Sequence, residues 1–260
     1  MALSLTVLGC DGGYAGPGGA GSGYVLESRD TSIWLDTGPG TLGRLQLGLS
    51  LEQLDAVIVT HEHPDHVADL DGLAVALHFA IEPRRLPVYA PRSVRQRCYF
   101  EDWHEFDWHD VADGDRVAVG AWNLQFSQTD HGPETLAVRV DADGASFGYS
   151  ADSGPGWSLE ALGAGLDLAV CEATWTRSKE RRAAQHMSAR QAGASARDAA
   201  AADLLVTHRW PTIPAHAVAE EAAEAFGAPV LQASSGAHFE FGCKVREGLP
   251  GGGGSYRHVR

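Results

Sequence analysis

Short apolar runs alternate along the chain with segments whose apolar residues recur at helical spacing. The short runs predict strands at Leu3–Leu8, Tyr24–Glu27, Ser32–Leu35, Ala56–Thr60, Pro87–Ala90, Val117–Gly120, Asn123–Gln128, Leu136–Val140, Ser146–Ser150, Leu168–Glu172, Leu204–Thr207, Val230–Gln232 and His238–Phe241. Helical spacing predicts helices at Thr41–Leu49, Val67–Ala80, Ser93–Trp103, Leu159–Leu162, Ser188–Ala202 and Ala217–Phe226. Each half of the chain mixes strands with helices, which predicts an α+β fold: a four-layer αββα sandwich with two packed sheets inside and helices outside.

The length of the chain fits one such sandwich. Its 260 residues are ample for one large core and short for two domains with a linker, and no stretch in the middle has the composition of a linker. We therefore expect a single domain over residues 1–249. The glycine run after Pro250 predicts a flexible tail over residues 250–260.

The charge of the chain and its N-terminal sequence limit the kinds of partner and the cellular compartment that we expect. The net charge of −14 disfavours an extended nucleic acid partner, because phosphate contacts come from a basic face. The N-terminal residues read as a strand rather than a secretory leader, and no apolar run reaches the length of a membrane span. The four cysteines form no C-x-x-C pair. We expect a cytoplasmic protein with free thiols and no membrane partner.

A cluster of imidazoles and a carboxylate follows the predicted strand Ala56–Thr60. Residues His61 to His66 read His-Glu-His-Pro-Asp-His. Alternate side chains of an extended segment point the same way, so His61 and His63 can hold one metal ion, and the turn into the next helix directs Asp65 and His66 toward a second. Imidazole and carboxylate suit zinc, with manganese or iron as alternatives. The spacing therefore predicts a site for two divalent metal ions.

This H-x-H-x-D-H pattern resembles the metallo-β-lactamase-fold superfamily. The resemblance covers roughly residues 3 to 242 and extends to Thr-Asp-His-Gly around His131, Tyr-Ser-Ala-Asp-Ser-Gly around Asp152 and Leu-Leu-Val-Thr-His ending at His208. It implies His61, His63 and His131 on the first metal ion, and Asp65, His66 and His208 on the second, with Asp152 bridging the two.

Two further segments resemble the tRNase Z-like phosphodiesterase branch of that superfamily. They are Cys-Glu-Ala-Thr-Trp, beginning at Cys171, and His-Met-Ser-Ala-Arg-Gln-Ala-Gly, beginning at His186. The resemblance implies that His186 is a general acid toward the leaving oxygen, although Met187-Ser188 stands where that branch has Ser-Thr. Only 20 residues separate His131 from Asp152, so the inserted arm with which tRNase Z grips tRNA has no room there. The whole chain looks closest to an armless, actinobacterial cyclic-AMP phosphodiesterase-like group.

The resemblance implies a two-metal phosphodiesterase that acts on small cyclic nucleotides or cyclic phosphates through metal-activated hydroxide, with Asp65 orienting the nucleophile. The partner expected is a small-molecule phosphodiester, and the branch suggests a homodimer. The nearest alternative is a tRNA 3′-end endonuclease, which the acidic charge and missing arm disfavour. A hydrolase of a non-phosphate ester, lactone or thioester is a second alternative. A non-catalytic binding protein is a third, which the complete ligand set disfavours.

Several features outside the metal cluster carry weaker functional signals. The glycine-rich stretch Gly16–Gly21 fits G-x-G-x-x-G, but a strand rather than a helix follows, which favours a loop between strands. The aromatic segment Tyr99–His109 is compatible with a lid over a nucleobase, and a packing patch or dimer contact is favoured. Asp36 is expected to support a metal ligand or to cap its turn. Arg209 and Trp210 directly follow His208 and are weakly supported as substrate contacts.

Overall fold

The strands of the computed structural model form two seven-stranded sheets within the residues it describes, which are 3–99, 104–180 and 185–242. The strands are β1 Leu3–Gly9, β2 Gly23–Glu27, β3 Ser32–Leu35, β4 Ala56–Ile58, β5 Leu86–Ala90, β6 Phe106–Asp110, β7 Arg116–Val119, β8 Trp122–Gln128, β9 Leu136–Ala142, β10 Ala145–Tyr149, β11 Leu168–Glu172, β12 Asp203–Thr207, β13 Leu231–Gln232 and β14 His238–Phe241. The α-helices are α1 Thr41–Leu45, α2 Pro64–Val67, α3 Leu70–Phe79, α4 Arg92–Arg97, α5 Ala189–Asp198 and α6 Ala215–Phe226. Three single-turn 3₁₀ helices span Leu51–Gln53, Leu159–Leu162 and Arg177–Lys179. The predicted tail 250–260 lies outside the described residues.

Both sheets combine an antiparallel part with a parallel part. The first has the order β14-β1-β2-β3-β4-β5-β6, and its strands from β3 to β6 run parallel. The second has the order β13-β12-β11-β10-β9-β8-β7, and its strands from β10 to β13 run parallel. In such sheets, ligands bind outside the carboxyl ends of the strands. The loops that leave β3, β4, β10 and β12 are therefore the places to look for a site.

Three apolar clusters define the layers. The cluster between the sheets joins side chains of both, including Tyr24 from β2 with Phe126 and Phe147 from the second sheet. A second cluster packs Trp34 and the outer face of the first sheet against α3 and α4. A third packs β11 and β12 against α5 and α6. This order of helix, sheet, sheet and helix confirms the predicted αββα sandwich.

The predicted helix Val67–Ala80 is interrupted, which corrects its start. Two short loops take the hydrogen bonds that a continuous helix would use. The carbonyl of Asp65 accepts from Ser22 N–H and that of His66 from Thr37 N–H, while the N–H of Asp69 donates to the carbonyl of Thr37. The helix consequently ends as α2 and restarts as α3, which leaves Asp65 and His66 in a single turn.

The strand β6 was missed because its segment looked like an aromatic patch. It pairs parallel with β5 at the edge of the first sheet, and Phe106 is buried against the outer cluster while Trp108 is partly buried there. The predicted helix Ser93–Trp103 begins one residue earlier and ends at Arg97. Residues 100–103 of the aromatic segment lie outside the described residues.

No helix in the described ranges has both the length and the apolar character needed to cross a bilayer. Among the same residues, Cys10 and Cys171 are free thiols.

Replacing glycine with alanine should change the stability of the protein in opposite directions at two helical positions. A Cβ on Gly193 of α5 would lie 2.3 Å from the carbonyl oxygen of Ala222 on α6, whereas a Cβ on Gly43 of α1 would meet nothing within 4 Å. We expect Gly193→Ala to lower the free energy of unfolding by about 1–3 kcal/mol, because the helices must separate. Gly43→Ala should raise it by about 0.5–1 kcal/mol. Urea unfolding of both variants measures the difference, and equal effects would contradict the close approach of the helices.

Candidate metal centre

The loop after β4 carries the His61–His66 cluster into the space between the sheets. Thr60 N–H donates to the Asp36 carboxylate at 2.8 Å, which fixes the strand exit. His63 then takes an extended conformation as the residue before α2, and Pro64 occupies the first helical position, where its missing N–H costs nothing. The single turn of α2 places Asp65 and His66 beside His208, while the ring of His66 stays 4.2 Å from that of His61. His61 and His66 are fully buried, and His63 is half-exposed.

The structure brings all seven predicted metal-site side chains together in two sets that share Asp152. The first set is His61, His63, His131 and Asp152, and the second is Asp65, His66, Asp152 and His208. Within each set the candidate ligand atoms lie within 4.8 Å of one another. Both sets combine side chains from loops of the two sheets.

Asp152 stands between the sets with one carboxylate oxygen toward each. Its Oδ2 lies 3.5 Å from Nε2 of His61 and 3.8 Å from Nε2 of His131. Its Oδ1 lies 3.1 Å from Nε2 of His66 and 3.3 Å from Nε2 of His208. This is the placement that a bridging carboxylate requires.

Buried polar atoms without partners test whether cations fit here. Nε2 of His61, Nε2 of His66 and Oδ1 of Asp152 are buried and make no hydrogen bond of acceptable geometry to any described residue, although the His66 and Asp152 atoms lie 3.1 Å apart. Such atoms are costly in a protein interior unless something satisfies them. All three face the same cluster, and imidazole nitrogen with carboxylate oxygen is a donor set for zinc-like divalent ions. The residues present therefore fit two divalent cations.

The groups of the cluster carry opposite charges in the absence of metal ions. Burial opposes protonation of His66, but the carboxylates of Asp152, Asp36 and Asp65 outweigh it and raise the pKa of His66 well above its usual value. Burial, together with His66, lowers the pKa of His61 to about 4, so its ring is neutral and has a free lone pair. Burial opposes ionisation of Asp65 and Asp152, but the neighbouring histidines outweigh it and hold the pKa of each carboxyl well below its usual range. The cluster offers two ionised carboxylates at neutral pH.

Four of the five ligand-set histidines are oriented through Nδ1, which leaves Nε2 toward the cluster. The Nδ1 partners are Thr60 Oγ1 for His61 (3.0 Å), Asp36 Oδ2 for His66 (2.7 Å), the Gln185 carbonyl for His131 (2.8 Å) and Thr174 Oγ1 for His208 (2.8 Å). Partners of this kind fix the ring orientation of metal-binding histidines. Apart from Asp36 and Thr174, which lies in the Cys-Glu-Ala-Thr-Trp segment, their positions carry no recognisable signal in the sequence.

Asp36 connects the two sheets beneath the cluster. Its carboxylate accepts from Thr60, from His66 and, at 2.9 Å, from the hydroxyl of Tyr149 on β10. Its backbone is left-handed, with φ of 58°, as are Ala151 beside Asp152 (50°) and His208 (54°). These conformations cost energy and recur at functional sites. The expectation that Asp36 supports a metal ligand agrees with its contact to His66.

Asp36→Asn should lower the free energy of unfolding by about 3 kcal/mol, because an amide cannot accept all the buried donors that the carboxylate serves. Asp143→Asn is the matched control. Asp143 has a similar φ of 52° but is exposed in the turn between β9 and β10, so we expect a change within about 0.5 kcal/mol. Chemical denaturation of the metal-free proteins measures both values. Equal losses would mean that the backbone, not the carboxylate, matters at Asp36.

His186 lies at the rim of the cluster, close to Asp152. Its Nδ1 is 3.1 Å from Oε1 of Glu172 and 3.9 Å from Oδ2 of Asp152, and its ring stacks on that of His208 at 5.4 Å. Burial favours the neutral ring, but the Glu172 carboxylate outweighs burial and raises the pKa of His186 to about 9. His186 is therefore protonated at neutral pH, with 22% of its side chain exposed toward solvent.

Glu172 lies in the Cys-Glu-Ala-Thr-Trp segment, and the sequence predicts no role for it. It ends β11, is fully buried, and accepts from Ser153 N–H at 2.6 Å and from the Thr174 hydroxyl at 2.5 Å. These donors hold the carboxylate so that one oxygen faces His186. Its position at the carboxyl end of a buried strand, directly before Ala173-Thr174, is the signal that could have found it.

The glycine-rich stretch Gly16–Gly21 lies in the loop between β1 and β2, as predicted, and this loop reaches the cluster. Gly13 N–H donates to Oδ2 of Asp65 at 2.7 Å, and Gly12 N–H donates to the carbonyl of Arg209 at 3.0 Å. The guanidinium of Arg209 donates to the backbone carbonyls of Trp210, Pro211 and Ile213. Arg209 therefore shapes the turn after β12, and the interpretation of its side chain as a substrate contact is not favoured.

The sequence of this chain is similar to a family model and to several known proteins. A family model described as a beta-lactamase superfamily domain matches residues 31–209. The protein ML1173 of Mycobacterium leprae is 34% identical over 254 residues, which cover 92% of this chain and 89% of that protein.

Two further relatives carry descriptive names. The metallo-β-lactamase fold protein YhfI of Bacillus subtilis has a crystal structure that superposes with a TM-score of 0.85 at 28% identity, covering 92% of this chain and 99% of that chain. A ribonuclease Z of Mycobacterium bovis is 28% identical over 244 residues, which cover 81% of this chain and 87% of that protein.

Proposed function

The chain belongs to the β-lactamase superfamily and has the metallo-β-lactamase fold of its hydrolases, and from that premise we propose that it is a two-metal phosphodiesterase for small cyclic nucleotides or cyclic phosphates. The observation that carries the phosphodiester assignment is the pairing of His186 with Glu172 beside Asp152. A protonated imidazole at this place suits a reaction whose leaving group is an alkoxide oxygen.

Two sets of side chains would hold the cations. The first is His61, His63 and His131, the second is Asp65, His66 and His208, and Asp152 is shared. When bound, two divalent cations would neutralise charge on the phosphate oxygens and lower the pKa of the attacking water molecule. Zinc, manganese and iron all fit this donor chemistry.

The side chains of this chain would then position the substrate and move one proton. Asp65 is held by a hydrogen bond from Gly13 N–H, and its carboxylate orients the attacking water. The Nδ1 of His186 is engaged by Glu172, so Nε2 is the nitrogen available to protonate the departing sugar oxygen. Glu172 holds that ring charged and oriented.

The size of the loops favours a small substrate over tRNA. Between His131 and Asp152 the chain forms only the β9–β10 hairpin, which turns between Ala142 and Ala145. The net charge of −14 also disfavours a long polyanion. The likeness to ribonuclease Z keeps tRNA 3′-end cleavage as the second candidate. Action in the cytoplasm and as a homodimer stays a prediction from the sequence.

A substrate panel tests this assignment. The protein reconstituted with zinc, manganese or iron is assayed on 3′,5′-cyclic AMP, bis(p-nitrophenyl) phosphate, a precursor tRNA, a lactone and a thioester. We expect hydrolysis of the cyclic diester in at least one metal form and little cleavage of the other biological substrates. Faster turnover of the lactone, the thioester or the precursor tRNA than of every phosphodiester of low mass would overturn the proposal.

A further inference from the structure

Three aromatic side chains from separate segments meet beside the second metal set. Tyr14 directly follows Gly13, whose N–H donates to Asp65. Trp210 lies two residues after His208, and Trp175 follows Thr174, whose hydroxyl contacts Nδ1 of His208. The three rings thus come from the glycine-rich loop, the loop after β11 and the loop after β12. Each lies within two residues of a side chain of the cluster or of a residue that contacts the cluster.

The three rings have different surroundings. Trp175 stacks on Trp210 with centroids 5.2 Å apart and an interplanar angle of 29°, and Nζ of Lys179 lies over the Trp175 ring at 5.5 Å. Both indoles are partly buried against the cluster that holds α5 and α6. Tyr14 instead meets Trp210 edge-on, at 5.4 Å and 79°. The two indoles therefore form a packed support, and the ring of Tyr14 contacts this support through Trp210.

Gly13 allows the loop to lie flat on this support. Its φ is +76°, and a Cβ there would come 2.5 Å from Cζ3 of Trp210. The loop is also tied at Asp11, whose backbone bridges to Arg209 and whose Oδ2 accepts from Gly16 N–H at 2.9 Å. The ring of Tyr14 is consequently held in place although 44% of the residue is exposed.

Exposure singles out Tyr14 among the described residues. The large hydrophobic side chains that they leave exposed are Tyr14, Leu47, Val75, Phe79 and Tyr99. Tyr14 is the member of this group that adjoins a residue bonded to the metal cluster. An exposed, supported aromatic face at the rim of a phosphate-binding site fits a flat ring carried on the same substrate.

We propose that Tyr14 is the stacking surface for the nucleobase of a nucleoside phosphodiester, and that Trp210 is a positioning residue for Tyr14. The inference rests on the proposed function, because it takes the phosphate to lie at the two metal sets. It adds that the substrate carries a base and that the base lies toward the glycine-rich loop. Stacking is tolerant of base identity, since every base has a π face.

The kinetic test compares a substrate with a base and one without. Tyr14→Ala should raise KM for 3′,5′-cyclic AMP about tenfold, with kcat changed less than twofold, and leave KM for the 3′,5′-cyclic phosphate of 1-O-methylribofuranose unchanged. Tyr14→Phe keeps the ring and should behave as wild type. Phe79→Ala is the control, because Phe79 is an aromatic residue 75% exposed on α3, outside both the glycine-rich loop and the aromatic segment. Equal effects of Tyr14→Ala on both substrates, or none on either, would overturn the inference.

A binding readout separates this inference from the proposed hydrolysis. Calorimetric titration of the metal-reconstituted protein with adenosine 5′-monophosphate and with ribose 5-phosphate gives the preference for the base. We expect wild type and Tyr14→Phe to prefer the nucleotide about tenfold and Tyr14→Ala to lose that preference. If no diester is hydrolysed but this preference depends on Tyr14, the hydrolytic proposal fails and the stacking surface stands. If cyclic AMP is hydrolysed but the preference is absent, or unchanged in Tyr14→Ala, the stacking surface fails alone.

Discussion

Replacing His186 with alanine should lower kcat for a phosphodiester with an alkoxide leaving group by about 100- to 10,000-fold, while the protein keeps its metal ions. The physical reason is that His186 supplies a proton at the rim and belongs to neither of the two sets that we propose to hold the ions, although it forms a third group of possible ligands with Asp152, Glu172 and His208. Steady-state kinetics combined with metal analysis of the purified variant gives both quantities. A variant whose main defect is lost metal would show that His186 is a ligand and not a proton donor.

The leaving group and the pH profile sharpen this result. A p-nitrophenolate needs no proton to depart, so bis(p-nitrophenyl) phosphate should be affected much less than cyclic AMP. In the wild type, activity should fall as pH rises through the pKa of His186, which Glu172 raises to about 9. Glu172→Gln removes that charge, lowers the pKa of His186 and should move the alkaline limb to lower pH. An unmoved limb would assign it to another group.

Asp152→Asn should reduce activity by at least about 1000-fold and lower the bound metal below two ions per chain. The carboxylate is ionised at neutral pH and directs one oxygen to each set, so the substitution weakens both sets at once. An amide of the same size keeps the packing and lacks the charge. Activity and metal content are measured after reconstitution, and the rise in melting temperature on adding zinc should shrink as well.

His186→Ala serves as the matched control for Asp152→Asn. The two side chains are neighbours, so a general disturbance of the site would reduce metal content in both variants. We expect full metal content in the His186 variant and loss in the Asp152 variant. Two ions retained by Asp152→Asn would remove Asp152 from its bridging role.

Local spacing and long-range placement differ in how well the sequence predicts them. The pairs His61 with His63 and Asp65 with His66 follow from six consecutive residues after a buried strand. Asp65 and His208 are 143 positions apart, and their contact depends on how two sheets pack. Resemblance supplied that pairing where spacing could not. The support from Thr60 and the Gln185 carbonyl went unpredicted because such groups are common everywhere in a chain.

The elements show the same division. Strands buried on both faces, such as β11, appear as continuous apolar runs and were predicted with the observed bounds. The edge strand β6 mixes Asp107 and His109 with aromatic residues and was missed. The break between α2 and α3 was also missed, because the loops that take its hydrogen bonds come from residues 22 and 37, far from the helical pattern.

The division of each metal set between the two sheets has a consequence for assembly. The loops of the first sheet supply the residues from His61 to His66, and the loops of the second supply His131, Asp152 and His208. Neither sheet alone can complete a metal set. If the two sets hold metal ions as proposed, the affinity for the ions includes the free energy of joining the halves, and capture of the ions acts as a cross-link that the unfolded chain lacks. A substitution in the core between the sheets, far from any ligand, would then lower the metal content of the protein before it caused other measurable changes.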